Sequence, residues 1–511
     1  MLIDTTPFLR GYSSWRTLAL SQQEPALTQK RVLQNLLRRG ERTRFGQDHG
    51  LGAITSLADF QTHVPLRTYE DYWKEYWSGP FPRITNVTWP GTVSFFAETS
   101  GTTTGRSKYI PVTQEMLLAN SWAAGDLLVH HIVNRPDSRI FGGLTFLLGG
   151  SSGLRELAPG IMSGDLSGIE ARTIPWWLRP WRFPPAELEE MADWEAKIEA
   201  VANAVIGQDV RAISGVPSWL LVLFDRLEEL RPDLGRRLVR FFPNLELLVH
   251  GGVDFGPYRH NLLSRLEGSH AETREAYAAS EGFIAVADRG DGEGLRLIVD
   301  NGLFFEFVPV EELDRPNPTR HWVGNAEAGV NYAIVLTTCG GLWAYVLGDT
   351  AEFVSSSPPR IRITGRTGLM LSAFGEHLIG AEIEAAVSGA ADSIGLDVVD
   401  YTVGAAVAER KGEQGQHLFV VEFADGPPDA AVQDRFLAEL DRRLSQANAD
   451  YRAHRIETHG LRPPRLIAVA PGAFYRWMRQ RGKLGGQHKV PRVISDEGLF
   501  ADLRRFVAGA S

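Results

Sequence analysis

One cysteine, Cys339, stands in a chain of 511 residues. That excludes an intrachain disulfide and a cysteine-based metal cluster, and it makes a reducing, cytoplasmic home the expectation. Long apolar runs are missing too. Stretches such as Ile140–Leu148 are too short and too glycine-broken to span a bilayer, so no membrane partner is expected. The first residues, Met1 to Thr6, show no basic segment followed by an apolar core, and no signal peptide is expected. The net charge of -9 argues against general nucleic-acid binding. No Gly-x-Ser-x-Gly elbow, no His/Cys/Asp cluster at metal-ligand spacing and no strand–Gly-x-Gly-x-x-Gly–helix unit occurs. Serine hydrolase, zinc enzyme and dinucleotide oxidoreductase are therefore poor readings. Internal repeats and low-complexity tracts are absent as well.

What is present fits an ordinary globular chain, 43% hydrophobic and 23% charged, too long for one core and expected to form two or three domains. The charge is uneven. Residues 441–511 hold 14 Lys and Arg against 6 Asp and Glu, whereas the remainder holds 39 against 56. A basic C-terminal module suits a nucleic-acid tail or a lid over an anionic ligand. Phe474, Trp477 and Leu484 make it a folded module, which favours the lid.

Apolar spacing predicts an early helix with Leu27, Val32, Leu33, Leu36 and Leu37 on its buried stripe. It predicts a second, capped by Thr113, with Met116, Leu117, Trp122, Leu127, Leu128 and Ile132 inward. A strand at 140–150 follows. Then comes a helical stripe through Leu188, Met191, Trp194, Ile198, Val201 and Val205, a strand at 210–214, a helix from Pro217 and a strand at 245–249. This alternation implies an α/β fold with largely parallel sheet. Strands without long helices follow at 283–287, 295–299, 303–308, 332–338 and 343–347, an antiparallel meander or small barrel. Ser355-Ser356-Ser357-Pro358-Pro359 reads as a linker. A compact α+β unit should come after it, with the boundary near 365 (1–365 and 366–511).

Several stretches can carry chemistry. Between two strand patterns lies Thr99-Ser100-Gly101-Thr102-Thr103-Thr104-Gly105-Arg106-Ser107-Lys108. Two glycines, five hydroxyls at 99, 100 and 102–104, and two cations suit a phosphate cradle, although an exposed hairpin loop has similar composition. It is not a Walker A loop. Tyr277-Ala278-Ala279-Ser280-Glu281-Gly282 sits between helical and strand patterns; Glu281 could hold Mg²⁺ and Tyr277 could stack on a purine, or the stretch is a plain helix end. Asp349 after Gly348 can accept both hydroxyls of a ribose or merely form a turn. His250-Gly251-Gly252 could let a flat group lie on backbone, or hold a loop histidine. The stretch from Pro175 to Trp181 is a surface crossing or one wall of an apolar pocket. The last glycine-rich loop, 482–492, carries Lys483 and Lys489, able to reach developing phosphate charge.

In order and spacing these stretches resemble the adenylate-forming enzymes. More closely they resemble the Gretchen Hagen family of plant auxin-responsive acyl-acid amido synthetases and its bacterial relatives. Thr99–Lys108 is similar to that family's Ser-Ser-Gly-Thr-Ser/Thr-x-Gly-x-x-Lys, and Tyr277–Glu281 to its Tyr-Ala-Ser-Ser-Glu, with Ala279 for a serine. Phe304–Pro309 is similar to its Phe-Phe-Glu-Phe-x-Pro. Tyr345–Asp349 is similar to Tyr-Arg-x-Gly-Asp, with Val346 for arginine, and Gln487–Arg492 to Gln-Tyr-Lys-x-Pro-Arg, with His488 for tyrosine. Ala344 and His377 also depart from residues common in the family.

The resemblance implies a large N-terminal adenylation domain of mixed sheets flanked by helices plus a barrel-like part, and a smaller mobile α+β C-terminal domain. It implies ATP and Mg²⁺, a small carboxylic acid and an amino acid or other amine as substrates, and a two-step ligation through an acyl-adenylate. Ser100, Gly101, Thr102, Thr103, Thr104, Gly105 and Lys108, beside Thr99, would bind phosphates. Tyr277 would stack near the adenine and Asp349 would take the ribose hydroxyls, with Ala278, Ser280 and Arg366 also binding the nucleotide. Glu281 would hold Mg²⁺, and Lys489 would stabilise the adenylation transition state from the C-terminal domain. A monomer is expected. An acyl-CoA ligase of the same superfamily, or a nucleotide sensor without turnover, are the alternatives.

Overall fold

Period-2 and period-3.6 patterns alternate through most of the chain, and the computed structural model turns them into two compact units. It describes all residues except 1–2, 101–106, 150–152, 175, 177, 192, 253–254, 291, 314, 368–377, 379, 407–415, 449–450, 453–454, 456–460, 483–489, 495–496 and 510–511. One unit comprises Met1–Phe255, Asn261–Leu347 and Ala351–Arg362; the other comprises Gly256–His260, Gly348–Thr350 and Ile363–Ser511.

The first unit opens with helices Thr6–Ser21 and Pro25–Gly40. Val32, Leu33, Leu36 and Leu37 are buried as the stripe predicts, but Leu27 is exposed, because it sits on the first turn beyond the packed face. A four-stranded sheet contains β1 (Phe95–Ser100), β2 (Ser107–Val112), β4 (Arg155–Ala158) and β5 (Ile161–Gly164) in the order β2-β1-β5-β4. β1 and β2 pair antiparallel with Thr99 opposite Lys108 and Ser100 opposite Ser107. The glycine-threonine segment therefore closes a hairpin.

Thr113 caps the helix Gln114–Asn134 by accepting from the Met116 N–H. Met116, Leu117, Leu127 and Ile132 are buried, whereas Trp122 points to solvent. The expected strand at 140–150 begins as a single 3₁₀ turn and becomes β3 only at Leu144–Leu148. The stripe at 188–205 is not one helix: Asp193 caps a fresh start by accepting from the Ala196 N–H, and the helix runs Trp194–Val205.

The larger sheet has twelve strands. To β3 it adds β6 (Arg182–Phe183), β7 (Val210–Gly215), β8 (Leu247–Gly251), β9 (Glu272–Ala279), β10 (Gly282–Val286), β11 (Leu295–Leu297) and β12 (Leu303–Pro309). The rest are β13 (His321–Trp322), β14 (Asn331–Thr338), β15 (Tyr345–Ser356) and β16 (Pro359–Arg366). Their order is β13-β12-β14-β15-β16-β11-β10-β9-β8-β7-β3-β6. From β9 to β6 the pairs are parallel; β10 turns back antiparallel on β9, so the meander hydrogen-bonds directly onto the parallel part. β12 is buried at every position, as its run of apolar residues on either side of Glu306 requires of a strand covered on both faces. Ser355–Pro359 is not a linker. It is the tight connection between β15 and β16, with the Ser355 hydroxyl donating to the Pro358 carbonyl at 2.7 Å.

In the second unit β17 (Val398–Ala406), β18 (Gln416–Phe423), β19 (Arg465–Val469) and β20 (Val493–Ile494) pair in the order β19-β18-β17-β20. Strand alternation divides its core in two. Phe419, Val421 and Phe423 pack with helices Gly380–Ile394 and Ala430–Ala447. Leu418 and Val420 pack with Phe474, Trp477, Phe500 and Leu503 from helices Ala473–Gln480 and Glu497–Gly509.

Candidate active site

In the first unit, β1 and β2 carry Thr99, Ser100 and Lys108 to the base of the hairpin; Gly101, Thr102, Thr103, Thr104, Gly105 and Arg106 lie outside the described residues. The Lys108 ammonium stands 4.0 Å from Glu70 and 5.3 Å over the Tyr69 ring. Glu70 is half exposed, so this pair holds Lys108 only weakly, and a phosphate could displace it. Beside it, Glu98 on β1 accepts from the Ser163 hydroxyl at 2.6 Å and from Arg155 at 3.2 Å, which locks β1 to β5.

Tyr277–Glu281 is not the end of a helix. Tyr277, Ala278 and Ala279 are strand residues of β9, and Ser280 and Glu281 are the two residues of the tight turn into β10, with Ala279 paired to Gly282. Gly282 makes that turn possible. Its φ is 152°, a region that favours glycine, and a Cβ there would come within 2.7 Å of Leu303. The turn buries Ser280 and Glu281. A carboxylate needs a partner in such a place, and the Tyr345 hydroxyl donates to Glu281 Oε1 at 3.2 Å. Burial and the neighbouring Glu281 push the Tyr345 phenol well above its ordinary value, so it remains a neutral donor.

Asn120 and Glu170 join this region and carry no sequence signal. The Asn120 Oδ1 accepts from the Phe283 N–H, two residues past Glu281, and its Nδ2 donates to Glu170 Oε1, both at 3.1 Å. Burial pushes the half-buried Glu170 upward, against the pull of Asn120 and Arg182. Asn120 thus pins the hairpin to two helices through partners 50 and 163 residues away.

Other candidate stretches have structural explanations. Gly251 faces the neighbouring strand so closely that a Cβ would meet the Ala276 carbonyl at 2.1 Å, and the His250 ring stacks on Phe255 at 3.7 Å. Glu306, in the stretch 304–309, makes a two-pronged buried pair with Arg320, at 3.0 and 2.7 Å. In the aromatic crossing Trp176 is exposed, and the Trp181 indole donates to the Phe141 carbonyl at 3.0 Å; Pro175 and Trp177 lie outside the described residues.

In the second unit, Gly348 takes a φ of 91° immediately before Asp349. Asp349 Oδ1 accepts from the Arg366 Nε at 2.7 Å, and Thr367 N–H donates to the Gly348 carbonyl at 2.8 Å. The structure therefore brings Asp349 and Arg366 together. Lys489, Lys483 and His377 lie outside the described residues. Three residues beyond Lys489 the chain is firmly anchored at Arg492. Arg492 pairs with Asp400, donates to the Tyr401 carbonyl and the Tyr258 hydroxyl at 3.2 Å each, and lies over the Tyr401 ring at 4.5 Å. The Arg492 backbone also accepts from Val403 N–H at 2.9 Å. Arg492 is thus the peg that fixes the end of the glycine-rich loop.

Among the described residues no group of three or more His, Cys, Asp and Glu gathers to hold a metal. Mg²⁺ takes one or two carboxylates and fills the rest of its shell with phosphate oxygens and water, and the buried Glu281 carboxylate is of the chemical class that would serve as one of them. Among the same residues no helix is long and apolar enough to cross a membrane.

Three family models match in chain order. The GH3 family N-terminal domain matches residues 16–147, the GH3 family central domain 296–366, and the GH3 family C-terminal domain 381–498. An indole-3-acetic acid-amido synthetase GH3.3 of Arabidopsis thaliana is 23% identical, covering 96% of this chain and 93% of its own. A solved GH3.15 acyl acid amido synthetase in complex with 2,4-DB superposes with a TM-score of 0.81 at 18% identity, covering 99% and 98%. A 2-hydroxyisobutyryl-CoA ligase in the postadenylation state superposes less closely, at 0.59 and 16% identity over 94% and 91%, and shares the adenylate-forming fold. With the three models spanning most of its length in the family's own order, this chain belongs to the GH3 family.

Proposed function

We propose that this protein is an ATP-dependent acyl-acid amido synthetase, a ligase that forms a carbon–nitrogen bond through an acyl-adenylate. The observation that carries the reading is the buried Glu281 in the β9–β10 turn, held by Tyr345, in a chain whose residues 16–147, 296–366 and 381–498 match GH3 models. Relatives bearing amido-synthetase names support it.

In the first step a carboxylate oxygen of the acid attacks the α-phosphorus of ATP. The bond to the bridging oxygen breaks and pyrophosphate leaves. In the second, an amine nitrogen, commonly an amino acid's, attacks the acyl carbon, loses a proton and releases AMP. Such displacement at phosphorus needs alignment and charge neutralisation more than a protein nucleophile. The hairpin loop 101–105 with Thr99, Ser100 and Lys108 would cradle the phosphates. Tyr277, Ala278 and Ser280 would flank the base, and Asp349 with Arg366 would take the ribose hydroxyls. Glu281 would hold Mg²⁺, which supplies charge neutralisation at the phosphates. The C-terminal unit, residues 366–511, would act as a lid that delivers Lys489. Arg492 supports that role, since it anchors the chain three residues beyond Lys489.

Incubation with ATP, Mg²⁺ and a panel of carboxylic acids, each with CoA or a set of amino acids, tests the reading by product mass. Amides are expected. A CoA thioester as sole product would identify an acyl-CoA ligase instead, and ATP binding without pyrophosphate release for any acid would identify a sensor. Lys489→Ala should abolish carboxylate-dependent pyrophosphate release.

A further inference from the structure

The parallel strands β3, β7, β8 and β9 all end at one edge of the large sheet, and β9 delivers Tyr277–Glu281 there. In open α/β sheets ligands bind outside the carboxyl ends of such strands. The helix Leu166–Thr173 reaches the same edge. Its Ser167 stands so close to Gly149, the residue after β3, that a Cβ on Gly149 would meet the serine hydroxyl at 3.0 Å. The helix also packs on β1, the strand that runs into the phosphate hairpin. Glu170 follows Ser167 by three residues and so shares its face.

Two hydrogen bonds place Glu170 beside the proposed chemistry. Its Oε1 accepts from Asn120 Nδ2 at 3.1 Å, and Asn120 Oδ1 accepts from the N–H of Phe283, two residues past Glu281, also at 3.1 Å. Among the described residues, Asn120 is the one hydrogen-bond partner of the Glu170 carboxyl. The cations nearby are engaged elsewhere. Arg182 pairs with Glu189 at 2.5 Å, and Lys197 donates to the carbonyls of Glu189 and Gly149 at 3.1 and 3.4 Å. Glu170 is half-buried, so a ligand can still reach it. A carboxylate has about four acceptor sites. Enclosing one with most of those sites unfilled costs stability, and a ligand that fills them recovers it.

We propose that Glu170 determines acid specificity, and that the acid it selects carries a hydrogen-bond donor, a hydroxyl or an amine, away from its reacting carboxylate. The inference rests on the adenylation reading above. Charge sets the direction of the acid. Its carboxylate is attracted by Lys108 at the base of the hairpin and repelled by the Glu170 carboxylate, so its far end meets Glu170. Burial raises the Glu170 carboxyl from its ordinary value, which softens the repulsion. In either protonation state the group still accepts, and Asn120 occupies Oε1 and leaves Oε2 for the ligand. An apolar acid leaves that oxygen unfilled. This is the asymmetry by which a polar site rejects an analogue lacking the matching group.

Carboxylate-dependent ATP–pyrophosphate exchange over matched acids tests the proposal. The probes are 3-phenylpropanoic and hexanoic acids, each bare and with a hydroxyl, amino or methoxy group on the ring or the terminal carbon. The wild type should favour the hydroxyl or amino member of at least one series over its bare and methoxy members by about tenfold or more in kcat/KM. Glu170→Gln keeps an oxygen for Asn120 and turns the second acceptor into a donor. It should lower kcat/KM about tenfold or more for the favoured acid and raise it for the methoxy acid, which offers only acceptors. A purely structural role would lower all acids alike, and that result would overturn the proposal. A wild type that turns over every member equally, or prefers the bare acids, would overturn it without any variant and leave adenylation standing. No exchange with any acid would overturn adenylation and this proposal together.

Discussion

Replacing Tyr345 by phenylalanine removes one hydroxyl and little else. The ring keeps its place, 2% exposed and 6.2 Å from Tyr72. What goes is the hydrogen bond to Glu281 at 3.2 Å. A hydrogen bond to a charged group contributes about 1.5–3 kcal/mol. This one is long against the usual range of about 2.5–3.0 Å for hydroxyl donors, which puts it at the lower end. About 1.5 kcal/mol is about a tenfold factor in an equilibrium constant. The bond fixes the direction of the Glu281 carboxylate, so the loss should fall on metal binding rather than on the intrinsic rate. In carboxylate-dependent ATP–pyrophosphate exchange, Tyr345→Phe should need about tenfold more Mg²⁺ for half-maximal rate and should regain wild-type kcat to within about twofold at saturating Mg²⁺. An unchanged Mg²⁺ dependence, in a variant with wild-type Tm, would refute the positioning role.

Stability should depend on pH through His131. Its imidazole lies 2.8 Å from Glu272 and 3.2 Å from the Ser138 hydroxyl, with Glu246 at 3.7 Å. Burial lowers its pKa, but Glu246 and Glu272 outweigh that and raise it above the ordinary 6.5. Glu272 is itself held down at about 2 by His131 and Arg274, against its burial, so it stays ionised. A raised histidine stabilises the fold fully below pH 6.5 and ceases to as pH climbs through the folded value. Tm should therefore fall as pH rises above 6.5, and His131→Gln should abolish that dependence while costing about 3–5 kcal/mol at lower pH; parallel Tm–pH curves for the two proteins would contradict it. Asp349→Ala should raise the KM for ATP roughly 10- to 100-fold, the worth of one or two charge-assisted hydrogen bonds, with a smaller change in kcat; an unaltered KM in initial-rate measurements would remove Asp349 from the nucleotide site.

Local chemistry was legible where a single stretch carried it. The hairpin of β1 and β2, the Thr113 cap and the helix from Pro217 follow from alternation, a hydroxyl and a proline. The α/β class was legible for the same reason. The sequence misled where a local preference was overruled by tertiary context. Tyr277-Ala278-Ala279 has helix-compatible composition, yet pairing with β10 makes it strand. The signal that could have found the turn was Gly282. Ser355–Pro359 looks like a linker because serine and proline also make turns. Trp122 sits in an apolar stripe by spacing, but the neighbouring helix is only 16 residues long and packs Arg16, not an apolar side chain, against Asp126. Asn120, Glu170 and His131 were illegible in principle. Their roles lie in partners from 7 to 163 residues away, and a lone polar residue in a helix announces none of them.

The most direct test of adenylation at Glu281 is carboxylate-dependent ATP–pyrophosphate exchange by wild type and Glu281→Gln, compared across a panel of small carboxylic acids. Glutamine keeps the size of the side chain and an oxygen that can accept from Tyr345, and it removes the charge. Exchange by the wild type with at least one acid, reduced about 100-fold or more in Glu281→Gln at unchanged Tm, is the predicted result. Exchange by Glu281→Gln at the wild-type rate, or none by the wild type with any acid, would contradict it.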